Sequence, residues 1–168
     1  MRARGALGAL AAAVLVGSMF LDWYTNTEAI ELLEMLRERA DDAAAFPLDE
    51  SDINVTAWDS AFGTVVTLLL ALCGAAGVGA GLSLALRTKL AERPQVMRDL
   101  ASVLVVAGGL ATGLIFYRLI DFPVEPVRGS LSAEPGLFVG LVAAVALAIS
   151  GMLAVFEARR AGDSASDG

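Results

Sequence analysis

Four long apolar stretches constrain this chain more than any other feature of its sequence. They occupy about residues 6–24, 58–86, 100–120 and 137–156. An α-helix rises about 1.5 Å per residue, so about 20 residues cross a hydrocarbon core of roughly 30 Å. Backbone groups in hydrocarbon must pair within their own segment, which requires helices here. We therefore predict an all-α, polytopic membrane protein, in which residues 1–160 form an antiparallel bundle of four transmembrane helices.

Composition supports this prediction and removes several kinds of chemistry. The chain is 57% hydrophobic and 18% charged, whereas soluble domains carry about a quarter charged residues. Histidine is absent, and the one cysteine, Cys73, lies within the second apolar stretch. This excludes histidine-based catalysis, histidine–cysteine metal sites and an internal disulfide. We expect no enzyme activity, cofactor or metal site, and the lack of a basic face argues against nucleic acid as a partner.

The first stretch has two interpretations. Arg2 and Arg4 followed by an apolar run are also typical of a signal peptide. The run ends without a small-x-small cleavage motif and instead carries Trp23 and Tyr24, which are typical of a membrane interface. We expect a retained transmembrane span, and cleavage is the alternative.

The distribution of charge predicts the orientation. If the N-terminus is inside, the cytoplasmic segments hold eight of the twelve basic residues and the outer segments hold fourteen of the nineteen acidic residues. Lysine and arginine are enriched on the cytoplasmic side of membrane proteins. We predict a multi-pass protein of the cell membrane with both termini in the cytoplasm. Residues 161–168 are small and polar, and we predict that they form a disordered cytoplasmic tail.

The two predicted outer loops differ in character. The first, residues 25–57, is too long for a plain connection. Within it, residues 27–39 are predicted to form an amphipathic helix, because Thr27 can cap the first turn and the acidic residues precede the arginines. An apolar stripe completes this pattern and contains Ile30, Leu33 and Leu36. The second outer loop, residues 121–135, contains three prolines and is predicted to be irregular.

Polar and aromatic residues gather where three predicted spans reach the outer interface. The candidate cluster contains Asp22, Trp23, Tyr24, Trp58, Asp59, Tyr117, Arg118 and Asp121. An arginine in partly dry surroundings gains from carboxylate contacts and from stacking on indole rings, so the cluster is a candidate pocket for an anionic headgroup or a small ligand. The structural alternative is an interfacial aromatic belt with an arginine at a helix C-terminus.

Pairs of glycines one helical turn apart occur in three of the stretches. The pairs are Gly77 with Gly81, Gly109 with Gly113, and Gly136 with Gly140. Small residues let helix backbones approach closely in lipid, where dispersion replaces the hydrophobic drive. The pairs therefore predict close packing, either within the bundle or between copies of the chain.

Three segments around the interfacial aromatics resemble small actinobacterial four-helix membrane proteins of unknown function. The segments are residues 20–24, 56–62 and 117–123. In the resembling pattern one proline precedes the first tryptophan and another follows the third-span aspartate, and here Asp22 and Phe122 take those places. The resemblance implies a membrane location and a four-span shape, and it supplies no activity.

The sequence shows no catalytic constellation, and its first outer loop is long and carries a predicted helix. We therefore predict a non-enzymatic accessory or scaffold subunit. Its acidic outer face and its small-residue helix faces would contact membrane lipids, a membrane-protein partner or a second copy. The alternative is a binder of an anionic lipid or small ligand around Arg118. A channel or transporter ranks lower, because no acidic residue lies near the centre of a predicted span. A binder predicts a deep pocket at the outer ends of the first three spans, and a scaffold predicts a lipid-facing groove between helices or a flat outer surface.

Overall fold

The fold was derived from a computed structural model, which describes residues 2–39, 55–58, 64–86, 94–120 and 131–166. Most of these residues are helical, as predicted. In chain order the elements are α1 (Arg2–Ser18), β1 (Asp22–Asn26), α2 (Thr27–Arg39), β2 (Val55–Thr56), α3 (Thr64–Leu86), α4 (Pro94–Ile120), β3 (Leu131–Ala133) and α5 (Pro135–Ser166). The amphipathic segment predicted at residues 27–39 coincides with α2.

Among the residues that the structure describes, three helices are long and apolar enough to cross a membrane. They are α3 and, within α4 and α5, the stretches Gln95–Ile120 and Pro135–Arg160. Their outward faces are as apolar as their inward faces, since Val65 is 69% exposed, Leu110 57% and Val142 69%. A helix that is apolar on all sides is typical of a transmembrane span or of a large buried core. A chain of 168 residues is too small to bury all of these faces in its own core.

Small residues let the helices approach closely. Helix α1 contacts α3 and α5, and α4 also contacts α3 and α5. At the α1–α3 contact, a Cβ atom added to Gly81 would lie 2.5 Å from the backbone nitrogen of Ala9. At the α4–α5 contact, a Cβ added to Gly108 would meet the backbone nitrogen of Ala148. Larger side chains fill the centre between these contacts, and fully buried examples are Leu15, Leu104 and Leu147.

A small sheet, absent from the sequence prediction, joins the helix ends. Strand β1 lies between β2 and β3 and is antiparallel to both. Asp22 pairs with Thr56, and Tyr24 pairs with Val55 on one side and with Ala133 on the other. The all-α prediction is therefore wrong for these segments. Aromatic and β-branched residues favour strands, but the partner strands come from distant loops, and pairing over such separations is not visible in local hydropathy.

The sheet also corrects the predicted bounds of two spans. Helix α1 ends at Ser18 rather than continuing to residue 24, and three tight turns follow, of which the last joins Leu21 N to Ser18 O at 3.2 Å. The second predicted span, residues 58–86, is helical from Thr64. After α1, aromatic residues continue beyond the helix because the sheet, rather than a longer helix, pairs the backbone of β1. Residues 59–63 of the second predicted span lie outside the described residues.

The other two predicted spans are extended. Helix α4 begins at Pro94, before the predicted residue 100, and proline is favoured at a first helical position because its missing N–H has no partner there. Helix α5 continues to Ser166, so the prediction of a disordered tail is wrong for residues 161–166. Extending an existing helix costs far less than starting one, and alanines in this stretch favour the extension. Residues 40–54 and 121–130, from the predicted outer loops, lie outside the described residues.

Candidate functional site at the strand-capped helix ends

Trp23 is fully buried and connects β1 with the ends of two helices. Its indole Nε1 donates a hydrogen bond of 2.6 Å to the carbonyl oxygen of Ser18, in the last turn of α1. The ring lies against α5, where Cβ atoms added to Gly136 and Gly140 would be 3.1 Å and 3.4 Å from it. Carbonyls at a helix C-terminus lack partners within the helix. The Ser18 carbonyl also accepts the Leu21 N–H, so Trp23 adds a side-chain cap to the turn that ends α1, and the glycine pair of α5 makes room for its ring.

Tyr24 has the corresponding role for α4. The side chain is fully buried, and its hydroxyl donates a hydrogen bond of 2.7 Å to the carbonyl oxygen of Arg118, in the last turn of α4. Burial raises the pKa of Tyr24 from 10.0 to about 12, and the positive charge of Arg118 offsets part of this effect. The phenol is therefore held in its neutral form, which can donate the hydrogen bond.

Arg118 lies within the protein rather than at its surface. The residue is 7% exposed, and Ile115, one turn earlier, is fully buried. A cation in the last turn of a helix interacts favourably with the helix dipole. We call Trp23, Tyr24 and Arg118 the capping cluster, because the two aromatic side chains cap helix ends and the arginine supplies charge at one of them.

Trp58 lies outside this cluster. It is 45% exposed, and its ring faces that of Phe20 at a centroid distance of 5.5 Å and an interplanar angle of 39°. Its backbone nitrogen donates to Thr56 Oγ1 at 3.3 Å. The neighbouring Ala57 is held by α3, because Thr67 Oγ1 donates a hydrogen bond of 2.6 Å to the Ala57 carbonyl. Trp58 thus packs on Phe20 at the exposed side of this region.

The structure brings together only part of the predicted cluster. The buried members are Trp23, Tyr24 and Arg118. The exposed members are Asp22, Trp58 and Tyr117. Asp59 and Asp121 lie outside the described residues. The arrangement that results fixes helix ends and leaves little of the Arg118 surface for a ligand.

Sequence reasoning missed three contributors to this region. Ser18 supplies the carbonyl that accepts from Trp23, and Gly136 and Gly140 accommodate the indole. The spacing of the glycine pair predicts helix packing, but both glycines also lie against the Trp23 ring, and Gly136 lies against the backbone of Asp22 in β1. No sequence pattern identified Ser18, because any residue in the last helical turn offers the same carbonyl.

The part of the chain that the structure describes contains no candidate metal site. Within those residues, no group of three or more histidine, cysteine, aspartate or glutamate side chains could hold an ion.

The larger cavities among the described residues lie on the outward faces of the helices. One is a groove of about 660 Å³ between α1 and α5, which we call the α1/α5 groove. Its walls are apolar and include Leu7, Leu10, Val14, Phe138, Val142 and Ile149. Smaller grooves of about 440 Å³ and 390 Å³ lie between α3 and α4 and between α4 and α5. Such grooves can receive an apolar helix or an acyl chain.

Comparison with known proteins assigns no family and no function to the chain. The chain matches no protein-family model, and it shows no significant similarity to a curated protein or to a solved structure.

Proposed function

We propose that this protein is a non-enzymatic integral membrane protein that serves as an accessory or scaffold subunit and binds its partner along the α1/α5 groove. Lipid offers no hydrophobic drive for association, so a partner helix would bind through close apolar packing. The acidic outer segments would add polar contacts outside the membrane. The observation that carries the proposal is the position of this apolar groove of about 660 Å³ on an outward helix face, away from the buried capping cluster.

The proposal treats α1 as a fourth span. Helix α1 has 17 residues, and its outward face is apolar, with Leu7 58% exposed, Leu10 62% and Val14 41%. A polar outward face would be expected if α1 lay in water. The length of α1 is slightly short for a bilayer, and local thinning of the bilayer would accommodate it, with β1 at the outer interface.

An antiparallel four-helix bundle is the arrangement we propose for these spans. It is supported by the order of contacts between α1 and α5, in which a Cβ on Gly8 would lie 3.1 Å from Ser150 Oγ and one on Gly140 would lie 2.8 Å from Ser18 Oγ. The contacts thus move towards the N-terminus of α5 as they move towards the C-terminus of α1, as in a pair of antiparallel helices. With arginines concentrated at the opposite end from the sheet, we propose that both termini are cytoplasmic.

A second copy of the chain is one form that the partner can take. Cβ atoms added to Gly109 and Gly113 would have no neighbour within 4 Å, so this glycine pair faces away from the fold. It can therefore contribute to packing between copies.

Binding of an anionic lipid around Arg118 ranks lower as a proposal, because that side chain is buried. A channel or transporter remains the third proposal, which flux assays in liposomes would test.

Site-specific crosslinking tests the scaffold proposal. We would introduce a photoreactive side chain at Leu10 or at Val142, on opposite walls of the α1/α5 groove, and irradiate native membranes. The matched control is Leu68, which is 54% exposed on α3. We expect both groove positions to give the same protein adduct, at twice the chain mass if the partner is a second copy, and the control to give none. Lipid adducts alone, or identical products from all three positions, would contradict the proposal.

A further inference from the structure

The groove between α4 and α5 lies at the opposite end of α4 from the capping cluster. This α4/α5 groove has a volume of about 390 Å³. Its apolar wall contains Val105, Val106, Met152, Val155 and Phe156. Val106 is 59% exposed and Phe156 60%, so the wall is open to the surroundings of the helices. An apolar chain can enter it from the side.

One arginine lines this groove, and a second lies one helical turn beyond its Ser102. Arg159 lines it directly and is exposed. Arg98 lies one turn before Ser102, which also lines the groove and whose Oγ donates a hydrogen bond of 2.9 Å to the Arg98 carbonyl. Residues four apart share a helix face, so Arg98 continues the Ser102 side of the groove towards the helix end.

The register of the two helices places these arginines at the same level. A Cβ added to Gly151 would lie 2.6 Å from the backbone nitrogen of Val105. Arg98 lies about two turns before Val105 in α4, and Arg159 lies about two turns after Gly151 in α5. Because the two helices are antiparallel here, both arginines lie on the same side of this contact. Both lie near the ends of the apolar stretches Gln95–Ile120 and Pro135–Arg160. This is the level at which lipid headgroups would meet the protein.

The nearby acidic residues do not line the α4/α5 groove. Glu157 forms an ion pair with Arg4 of α1, with 3.2 Å between Oε1 and the guanidinium Nη2. Asp99 lines the adjoining groove between α3 and α4, which shares Ser102 and Val106 with the α4/α5 groove. Of the described residues that line the α4/α5 groove, Arg159 is the charged one. The mouth of the groove therefore favours an anion.

We propose that the α4/α5 groove binds a phospholipid whose headgroup carries a net negative charge. The lipid phosphate would contact Arg159 and Arg98, since guanidinium groups form paired, charge-assisted hydrogen bonds with phosphate. One acyl chain would lie along Val106, Met152 and Phe156. Basic sites between transmembrane helices on the cytoplasmic side are suited to anionic lipids. This site does not depend on the scaffold proposal, because it uses different helix faces and a different ligand.

Native mass spectrometry of the full chain with defined lipids tests the site. The probes are phosphatidylglycerol and phosphatidylcholine, and the variant is Arg159→Gln, with Arg98→Gln as a second variant. Arg2→Gln is the matched control, because Arg2 is exposed at the same end on α1. We expect each groove variant to lower the apparent affinity for phosphatidylglycerol by about tenfold, the scale of one charge-assisted hydrogen bond, and Arg2→Gln to leave it unchanged. Equal losses in all three variants, or no loss in either groove variant, would overturn the proposal.

Two further measurements separate a bound lipid from other occupants. Glycerol phosphate carries the phosphate without acyl chains, and we expect it not to displace phosphatidylglycerol at equal concentration. A photoreactive side chain at Met152, which is 49% exposed, should give lipid adducts in native membranes. Displacement by glycerol phosphate would show that the apolar wall does not contribute. A protein adduct at Met152, including one with a second copy, would assign the groove to a partner. Either result overturns the proposal.

Discussion

At the scale of single residues, the aromatic side chains of β1 act as helix caps. The sequence favoured an interfacial belt for Trp23 and Tyr24, but both are fully buried, and each donates a hydrogen bond to a carbonyl in the last turn of a helix. An unpaired carbonyl is costly where water is scarce, so such caps contribute most at the edge of a membrane. Arg118 is in the same region because a cation suits the end of α4.

The buried hydroxyl of Tyr24 predicts a loss of stability at high pH. Because the folded-state pKa is raised from 10.0 to about 12, folding favours the neutral phenol. The resulting stabilisation is complete below pH 10 and is lost as the pH rises through about 12. Ultraviolet titration in detergent should show a tyrosinate component near pH 12 that accompanies unfolding.

Tyr24→Phe is the control for this prediction. It should remove the late component and lower the free energy of unfolding by about 1 kcal/mol, the usual contribution of one hydrogen bond. The other tyrosine, Tyr117, is 52% exposed and remains in the variant as an internal reference. A late component that persists in Tyr24→Phe would show that the assignment to Tyr24 is incorrect.

At the scale of the helices, the glycine pairs that look alike in sequence have different surroundings. Gly77 and Gly81 lie at the contact of α3 with α1, whereas Gly136 and Gly140 receive the Trp23 ring. Gly109 and Gly113 face outward. The spacing alone predicts that each pair permits close packing. It does not indicate whether the neighbour is another helix, an aromatic side chain or a group outside the fold.

These different surroundings predict that alanine destabilises the fold at Gly81 and stabilises it at Gly109. In Gly81→Ala the new Cβ would lie 2.5 Å from the backbone nitrogen of Ala9, so α1 and α3 must separate, at a cost of about 1–3 kcal/mol. In Gly109→Ala the new Cβ meets nothing within 4 Å, and the higher helix propensity should stabilise the fold by about 0.5–1 kcal/mol. Thermal or denaturant unfolding in detergent measures both. Similar destabilisation in the two variants would contradict the packing described for α3 and α4.

At the scale of the whole molecule, the outward faces of four helices are apolar. Exposed leucines and valines cover α1 as well as α3, α4 and α5, and the arginines of α1 and the last arginines of α5 lie at one end, where Arg4 pairs with Glu157. This distribution is the basis for proposing that all four helices are inserted, and the positive end is the basis for the proposed orientation.

Cysteine labelling on intact cells tests that orientation. In a Cys73→Ala background, Ser51→Cys lies in the predicted outer loop and Thr88→Cys in the connection between α3 and α4. We expect a membrane-impermeant maleimide to label Ser51→Cys in intact cells and Thr88→Cys only after lysis. The reverse labelling would refute the orientation. Release of an N-terminal tag during export would instead identify the first stretch as a cleaved signal peptide.

The sequence by itself determined the features that belong to continuous segments. Length and hydropathy identified the three long candidate spans, and capping and charge placement identified α2 with the same bounds as in the structure. These predictions succeeded because a helix pairs its backbone locally, so its residues carry the necessary information within one stretch.

Only the tertiary structure decided the features that join distant segments. The hydroxyl of Tyr24 reaches Arg118 across 94 positions of the chain, and β1 pairs with strands from two different loops. For the candidate cluster, the sequence identified Arg118 and its aromatic neighbours but could not predict that Arg118 is buried. Burial and strand pairing depend on which segments approach in space, and local hydropathy and spacing carry no information on that approach.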